Sequence, residues 1–508
     1  MTDDTKNNPN KENPSLTQST GISAFWQVFG GSWQAVVRIV ASMFLARALT
    51  PEDFGLFGMA ILVYEFLTYI GALGMGTGII AKQEVSQDDL CTCFWTMAAM
   101  RTAMFLGCFL GAPLAAVYFG NNGLTNVLRA ISFTFLLSIF EVVSLIILIK
   151  ELQYKTINLI RGIAVFLEAC VAISLALTTD LGYWSLVLAM IASAMANYLA
   201  IFIAAKWMPK FIFSQSSFRY LFRFGINTLG SSIMNYFTQN IDYILVGRML
   251  GAKVLGLYEF AYRIPHIIEL RIAYPISSVL FPSLSKVQGD NQRLITGYLK
   301  LLKFICLVTF PALAGLAAVA DSAVLVLWGD QWVVIIPPLQ ILCFCTMLRI
   351  IPQASGAVLY CKKRPDLHFK ISVCCLVWTV VVVLILGKLY GVMGIAWGML
   401  VSVFPAYLSV YFVFKLTQQS PKVLIPSIGP ILLSTVACAL GALAVKTGIT
   451  AVGGNELISL GGAIISGIVI YVLSLCRGFS GFTREMICTI EEVLNIKLFE
   501  KLSWLVSH

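Results

Sequence analysis

Charge is what this sequence has least of. Only 12% of its 508 residues are charged, whereas 58% are hydrophobic and the mean hydropathy is +0.86. A soluble globule of this composition would expose too much apolar surface to water. The composition therefore predicts a chain that has lipid as its solvent. No connection between the apolar runs is long enough for a soluble catalytic domain, and we expect the protein not to be an enzyme.

Metal and nucleotide motifs are also lacking. The chain has three histidines and no Cys-x-x-Cys pair among its thirteen cysteines, which argues against a zinc site. No GxxxxGK[ST] phosphate loop occurs, so the sequence excludes a P-loop ATPase as the source of energy. We predict neither a metal nor another cofactor.

Fourteen apolar stretches fill almost the whole chain, each of roughly 20 to 27 residues and long enough to cross about 30 Å of hydrocarbon as a helix. The clearest carry no charge: 181–205, 389–414, 423–445 and 457–475. The sequence thus predicts an all-α polytopic membrane protein with fourteen transmembrane helices.

Both ends of the chain are more polar. Residues 1–20 have no apolar core and predict a disordered cytoplasmic tail rather than a cleaved signal. Residues 481–508 predict a cytoplasmic tail whose segment 482–506 forms an amphipathic helix on the membrane surface.

The basic residues between the apolar stretches indicate the orientation. With a cytoplasmic N-terminus, most of them fall on the cytoplasmic side, and the opposite side keeps Arg47, Arg248, Lys253, Lys388 and Lys446. The positive-inside rule then places both termini in the cytoplasm. Topology and attraction to anionic headgroups account for the net charge of +10, so we expect membrane lipids and not nucleic acid as partners.

Further charges lie within or near the apolar stretches. The basic ones are all arginines, namely Arg38, Arg101, Arg129, Arg161, Arg263, Arg271 and Arg349, and the acids are Glu65, Glu141, Glu168, Asp242, Glu259 and Glu269. Each costs about 2.5–3.5 kcal/mol at a helix centre unless it is paired or hydrated. A wet cleft and interhelical ion pairs both remain open as explanations. Arg129 and Glu141 favour the second, since they lie nearer the ends of their stretches.

Arginine suits a phosphate-bearing substrate, because its planar guanidinium matches phosphate oxygens. Polar residues also recur at helical spacing, first as Gln27, Gln34, Arg38 and Ser42 and later as Asn227, Ser231, Asn235, Gln239 and Asp242. Such stripes face water or a ligand, or join helices by hydrogen bonds. Our candidate residues of a substrate cleft are Gln27, Gln34, Arg38, Arg101, Arg161, Asn235, Gln239, Arg263 and Arg349. The candidates for ion coupling are Glu65, Asp242 and Glu259, although Glu259 could instead form an i,i+4 ion pair with Arg263.

An internal repeat relates the two halves of the chain. Residues 45–60 (LARALTPEDFGLFGMA) match 246–261 (VGRMLGAKVLGLYEFA) at a constant offset of 201, which aligns Arg47 with Arg248 and Gly55 with Gly256. The repeat predicts two six-helix lobes, 22–207 and 220–417, with the substrate between them. Two further spans at 423–476 have no counterpart.

The same motifs, with QNIDYILVGRMLGAKVLGLYEFAYRI at 239–264 and FPSLSKVQGD at 281–290, resemble the polysaccharide transporter family. These are Wzx-type oligosaccharide flippases of the multidrug/oligosaccharidyl-lipid/polysaccharide exporter superfamily, and the resemblance is to the colanic-acid-exporter-like branch. It implies alternating-access transfer of an undecaprenyl-pyrophosphate-linked oligosaccharide to the periplasmic leaflet of a bacterial inner membrane, for exopolysaccharide, capsule or O-antigen synthesis.

The resemblance also implies partners and residue roles. A proton or sodium ion is the expected counter-ion, and the polysaccharide polymerase and export machinery are expected neighbours. In the loop motifs, the glycines are expected to serve close turns, Asp53 to cap a helix, and Arg47 and Arg248 to mark membrane ends. Two alternatives are an ion-coupled multidrug or cation antiporter of the same superfamily and a membrane glycan polymerase or glycosyltransferase.

Overall fold

The computed structural model describes residues 16–71, 75–273, 284–285, 287–453 and 455–479, and all the secondary structure of these residues is helical. The predicted amphipathic segment 482–506 lies outside them. The α-helices are α1 Leu16–Ala48, α2 Pro51–Gly71, α3 Met75–Ala81, α4 Gln87–Phe119, α5 Gly123–Leu137, α6 Ile139–Lys150, α7 Tyr154–Thr178, α8 Trp184–Ala205, α9 Gln215–Ile268, α10 Asn291–Ala318, α11 Ala320–Leu327, α12 Ile336–Cys361, α13 Pro365–Ser402, α14 Tyr407–Thr417, α15 Leu424–Ala451 and α16 Glu456–Gly478. A π-helical turn, Glu269–Ala273, follows α9, and 3-10 turns lie at Asp330–Ile335, Phe404–Ala406 and Pro421–Val423.

Ten helices of the described chain are long and apolar enough to cross a membrane. The pair α5 and α6 adds an eleventh if it forms one span with a bend of 49°. These helices confirm the predicted all-α, multi-pass membrane protein. The first helix begins at Leu16, so residues 16–20, which the composition assigns to a disordered tail, are helical.

Two of the long helices contain a break at a glycine. Gly251 in α9 has φ 81° and ψ −178°, and Gly391 in α13 has φ 59° and ψ −135°. Positive φ angles of this kind cost a residue with a side chain more than they cost glycine. Each helix therefore consists of two helical segments joined by a single glycine with a positive φ.

The chain forms two compact units. Unit 1 comprises Met1–Ala41, Val63–Ala115 and Thr125–Met234, and unit 2 comprises Ser42–Leu62, Ala116–Leu124 and Asn235–His508. Ser42–Leu62 and Ala116–Leu124, which the repeat assigns to the first lobe, thus pack within unit 2. The aromatic contacts of unit 2 explain this: Trp332 donates to the carbonyl of Ala46 at 2.9 Å and Trp328 to the hydroxyl of Ser42 at 3.1 Å.

Within unit 1, α1 and α7 lie side by side and run in the same direction. A methyl group on Gly30 would overlap Asn158, one on Gly162 would press on Trp33, and Arg38 lies 3.8 Å from Glu168. The contact points advance together along both helices, which shows that they are parallel. Glycines at two of them allow the close approach of membrane helices that cannot rely on a hydrophobic driving force.

In unit 2, polar contacts fasten α15 and α16 to the preceding helices. Lys446 of α15 forms an ion pair with Asp321 of α11. Ser322 donates to Glu456 of α16 at 2.6 Å, and the Tyr471 hydroxyl donates to the carbonyl of Leu307 at 2.8 Å. The two helices without a counterpart in the repeat are therefore integral to unit 2.

The start of α2 is a reciprocal capping box. Asp53 accepts from the backbone N–H of Thr50 at 2.9 Å and from its hydroxyl at 2.7 Å, while the Asp53 N–H donates to the Thr50 hydroxyl at 3.3 Å. Thr50 is therefore the N-cap, and Asp53, expected to be the cap, is its partner one turn inside the helix. Ser86 and Asp89 make the same arrangement before α4.

We predict that Thr50→Ala lowers the free energy of unfolding by about 1 kcal/mol, because it removes the cap of α2. Thermal unfolding in detergent micelles measures the change. The matched control is Thr447→Ala in α15, whose hydroxyl donates to the carbonyl of Ala444 within the helix. The control should change stability by less than about 0.5 kcal/mol. Equal losses in the two variants would contradict the capping role.

Candidate substrate and ion-coupling site

The predicted site residues divide between the two units. Unit 1 holds Gln27, Gln34, Arg38, Glu65, Arg101 and Arg161, and unit 2 holds Asn235, Gln239, Asp242, Glu259, Arg263 and Arg349. Within each unit, these residues come from several different helices.

In unit 1, a carboxylate lies among the arginines. Glu141 accepts from the side chain of Asn197 at 3.3 Å, and both Arg101 and Arg161 are close enough to interact with it electrostatically. Glu141 lies just after Ser138, where the bend between α5 and α6 falls. Glu141 therefore lies in the first turn of α6, and its place relative to the ends of a membrane span stays a prediction.

The arginines of unit 1 are only partly neutralised. Arg38 pairs with Glu168 at 3.8 Å, and its side chain remains 66% exposed. The buried Nε of Arg101 has no hydrogen-bond partner among the described residues. An unpaired buried guanidinium nitrogen is costly unless a ligand or water satisfies it. Arg38, Arg101 and Arg161, here called the arginine group of unit 1, therefore keep hydrogen-bonding capacity that suits a phosphate-bearing anion.

The polar stripe of α1 is confirmed in part. Gln27 and Arg38 are exposed and Gln34 is half-buried, whereas Ser42 is buried in unit 2 beneath Trp328. The hydrophilic face thus ends before the last turns of α1. Glu65 of α2 is half-buried.

The second polar stripe separates into two parts. Asn235 and Gln239 are exposed, and the Gln239 amide donates to Asn235 at 3.1 Å. Asp242, three residues on, is 3% exposed and belongs to the interior of unit 2. The side chains of Asn227 and Ser231 lie outside the described part of the structure.

Asp242 is part of a buried network built on α9 and α12. The Tyr258 hydroxyl donates to its carboxylate at 2.7 Å, and that of Tyr262 donates to Glu269 at 3.3 Å. Glu269 lies 3.9 Å from Arg349, whose guanidinium is 5.5 Å from the ring centre of Tyr262. Arg349, predicted for the cleft, is thus tied to the same buried network as the coupling candidate Asp242.

Glu259 and Arg263 form the i,i+4 ion pair that the sequence left open, at 2.7 Å. The guanidinium also lies 4.1 Å from the ring centre of Phe260, so its charge is satisfied on two sides. Pro265 lies inside α9, and the residue of α9 with a positive φ is Gly251.

The tyrosines of this network are absent from the sequence-based candidates. Tyr258, Tyr262, His266 and Glu269 follow one another at spacings of four, four and three, so they share one face of α9. That periodicity was available in the sequence. The pairing of Tyr258 with Asp242 was not, because sixteen residues and the break at Gly251 separate them.

An apolar cavity of 670 Å³ also lies in unit 2, where α10, α12 and α15 meet. Its lining includes Phe310, Phe344, Met347, Leu432 and Leu440. Such walls suit a hydrocarbon chain and offer little to a sugar. Within the described residues, no three His, Cys, Asp or Glu side chains are grouped closely enough to hold a metal ion.

Comparison with known proteins identifies the family. A family model described as "Polysaccharide biosynthesis protein" matches residues 44–337, more than half of the chain. The chain belongs to this polysaccharide biosynthesis family. The match confirms the resemblance that the loop motifs indicate, since it contains both copies of the repeat.

Two relatives named for the biosynthesis of surface polysaccharides are similar to this chain over most of their length. Lipopolysaccharide biosynthesis protein WzxC of Escherichia coli K12 is 28% identical over 403 residues, covering 76% of this chain and 81% of its own. Teichuronic acid biosynthesis protein TuaB of Bacillus subtilis 168 is 27% identical over 359 residues, covering 70% and 74%.

Solved structures show the same fold at low sequence identity. The lipid II flippase MurJ in an inward closed conformation superposes with a TM-score of 0.71 at 14% identity, over 92% of this chain and 99% of its own. An inward-facing multidrug resistance transporter of the MATE family gives 0.59 at 16% identity, over 76% and 96%. The fold of this polysaccharide biosynthesis protein is therefore one that transporters share.

We predict that Tyr258→Phe destabilises the protein by about 1–3 kcal/mol, because the change leaves the buried Asp242 carboxylate without its hydroxyl donor. Thermal unfolding in detergent reports the loss. Tyr243→Phe is the control, since its ring lies 5.2 Å from that of Tyr258 and no hydrogen bond of its hydroxyl is found among the described residues. A loss of the same size in both variants would show that the ring environment, not the hydrogen bond, is responsible.

Proposed function

We propose that this protein is a flippase that moves an undecaprenyl-pyrophosphate-linked oligosaccharide from the cytoplasmic to the periplasmic leaflet by alternating access, for surface polysaccharide synthesis. Membership of the polysaccharide biosynthesis family and the fold shared with a lipid II flippase support the substrate class. The observation that carries the proposal is the arginine group of unit 1, in which Arg101 keeps a buried Nε without a partner.

The arginines suit the pyrophosphate because guanidinium groups remain charged inside a membrane protein and bind phosphate oxygens in pairs. Glu141 and Glu168 limit how tightly the group binds an anion, since each already partly neutralises an arginine. The substrate can therefore be released. The apolar cavity of unit 2 supplies a surface for part of the isoprenoid tail, and the bilayer holds the rest. Only the polar head then needs a path.

We further propose fourteen transmembrane spans in two lobes, at 22–207 and 220–417, with two spans following and both termini in the cytoplasm of a bacterial inner-membrane protein. The breaks at Gly251 and Gly391 support this count, because each divides a long helix into two segments. Fourteen results when these halves are counted separately, α2 is joined with α3, α5 with α6 and the end of α13 with α14, and the eight-residue α11 is left out as too short to span.

Asp242 is the coupling candidate that the geometry favours for a proton or sodium ion. It is buried, lies in the network of Tyr258, Glu269 and Arg349, and is not consumed by a direct ion pair. Glu259 is less suitable because Arg263 holds it at 2.7 Å. A multidrug or cation antiporter is the weaker candidate, since the arginine group disfavours cationic substrates. The polymerase and export machinery are the proposed neighbours in the membrane.

We predict that deletion of the gene leaves lipid-linked oligosaccharide accumulated on the cytoplasmic face, and that Arg38→Ala or Arg101→Ala fails to clear it although the variant inserts into the membrane. The amount and sidedness of the lipid-linked intermediate are measured in deleted cells carrying each variant. Lysine at the same positions tests whether charge alone is sufficient.

The matched control is Arg293→Ala, which removes an exposed arginine paired with Asp290 at 3.4 Å, outside the arginine group. It should clear the intermediate normally. Full activity of both alanine variants in unit 1 would contradict the phosphate contact. Normal surface glycan with no intermediate in deleted cells would contradict the flippase itself.

A further inference from the structure

The two copies of the internal repeat contact each other through equivalent atoms. Gly55 lies against the backbone of Ala252, so that a methyl group on Gly55 would overlap the Ala252 carbonyl oxygen. Gly256 lies against Pro51 in the same way. The offset of 201 converts Gly55 into Gly256 and Pro51 into Ala252, so the second contact is the first one repeated with the roles of the copies exchanged.

A third contact lies on the axis that relates the copies. Gly58 and Glu259 occupy equivalent positions, and they face each other: a methyl group on Gly58 would come within 3.2 Å of the Glu259 carboxylate. Residues near a two-fold axis meet their own equivalents, as in the isologous interface of a homodimer. The reciprocal contact is thus a two-fold interface within one chain.

The turn that precedes each helix is covered in equivalent fashion. Arg47 donates to the carbonyl of Val326 at 3.0 Å, and its counterpart Arg248 lies 5.4 Å from the ring centre of Tyr118. Tyr118 lies at the end of α4, the third span of the first copy, and Val326 lies in α11, just after the third span of the second copy. The glycines expected to serve turns therefore lie inside helices, where they admit the backbone of the opposite copy.

These features define an interlock made of Pro51, Gly55, Gly58, Ala252, Gly256 and Glu259. Within unit 2, Gly55, Ala252 and Gly256 are buried and the other three residues are half-buried. The interlock lies where the first span of each copy turns into the second. In the proposed topology, that is the membrane side opposite the basic segments. A close contact between a glycine and a backbone carbonyl has two states, packed or separated. Separation of the helices admits lipid or water, and a side chain in place of the glycine hydrogen overlaps the carbonyl oxygen.

We propose that the interlock is the gate that closes the transport path at its non-cytoplasmic end, and that it opens when the two glycine–carbonyl contacts part together. The inference rests on the proposed alternating-access transport. The proposal gives the loop motifs a gating role, which is distinct from the substrate-binding role of the candidate cleft residues. Since the two contacts are equivalent, disruption of either one has the same effect.

The test uses the full-length chain with Gln239→Cys, an exposed position on the polar stripe of α9, as a reporter. A membrane-impermeant maleimide is applied to intact cells, and labelling is compared with the chain lacking the reporter. Gly55→Ala and Gly256→Ala should each raise the labelling rate roughly tenfold or more, because overpacking a close contact shifts a two-state equilibrium by about that factor. The double variant should exceed either single variant only slightly, because both disrupt one interface.

Gly107→Ala in α4 is the matched control, since a methyl group there meets no atom within 4 Å. Should either gate variant fail to reach the membrane, Gly58→Ala replaces it, with a smaller increase because only the Glu259 side chain has to move. Inserted gate variants that label no faster than the control would overturn the proposal.

The reporter requires no substrate, so the gate and the proposed function can fail separately. Faster maleimide labelling of the gate variants, without lipid-linked intermediate in deleted cells, supports the gate and contradicts the proposed substrate. Accumulated intermediate with unchanged labelling supports the flippase and rejects the gate.

Discussion

The requirement that charge inside hydrocarbon be paired or hydrated governs this structure. A lone ion in the bilayer costs several kcal/mol, and the helices are arranged so that few are left alone. Arg263 is held by Glu259, and Glu269 by Arg349 and Tyr262. Where pairing stops short, as at Arg101, a buried nitrogen keeps hydrogen-bonding capacity that the proposed substrate would use. Stability and function thus draw on the same small set of charged side chains.

The two units solve this requirement differently. In unit 1 the arginines outnumber the acids around them, and Arg38 retains an exposed side chain. In unit 2 the acid Asp242 is enclosed by tyrosines, whose hydroxyl groups can donate a hydrogen bond without adding charge. The first arrangement favours anions that arrive from outside. The second keeps an acid buried where a small cation or proton could change its state.

Much of this architecture could be predicted from the spacing of residues along the sequence. The rest depends on contacts between residues that are distant in sequence. The apolar runs indicated membrane helices, and the offset of 201 aligned the copies that the interlock joins. The i,i+4 spacing suggested the pair of Glu259 and Arg263 as an alternative. By contrast, the hydrogen bond between Asn197 and Glu141 joins residues 56 positions apart, so nothing local in the sequence revealed it. Whether two helix starts from distant halves touch is likewise decided by tertiary packing.

The facing pair Gly58 and Glu259 bears on the ancestry of the chain. If the halves descend from one gene whose product formed a symmetric dimer, the two positions once held the same residue. Two glutamates there would have brought carboxylates together in a dry interface, whereas two glycines would have left a gap. The present combination fills the space with one side chain, and it requires two positions that mutate independently. Fusion of the halves into one polypeptide therefore made available a complementary pair that a homodimer cannot encode.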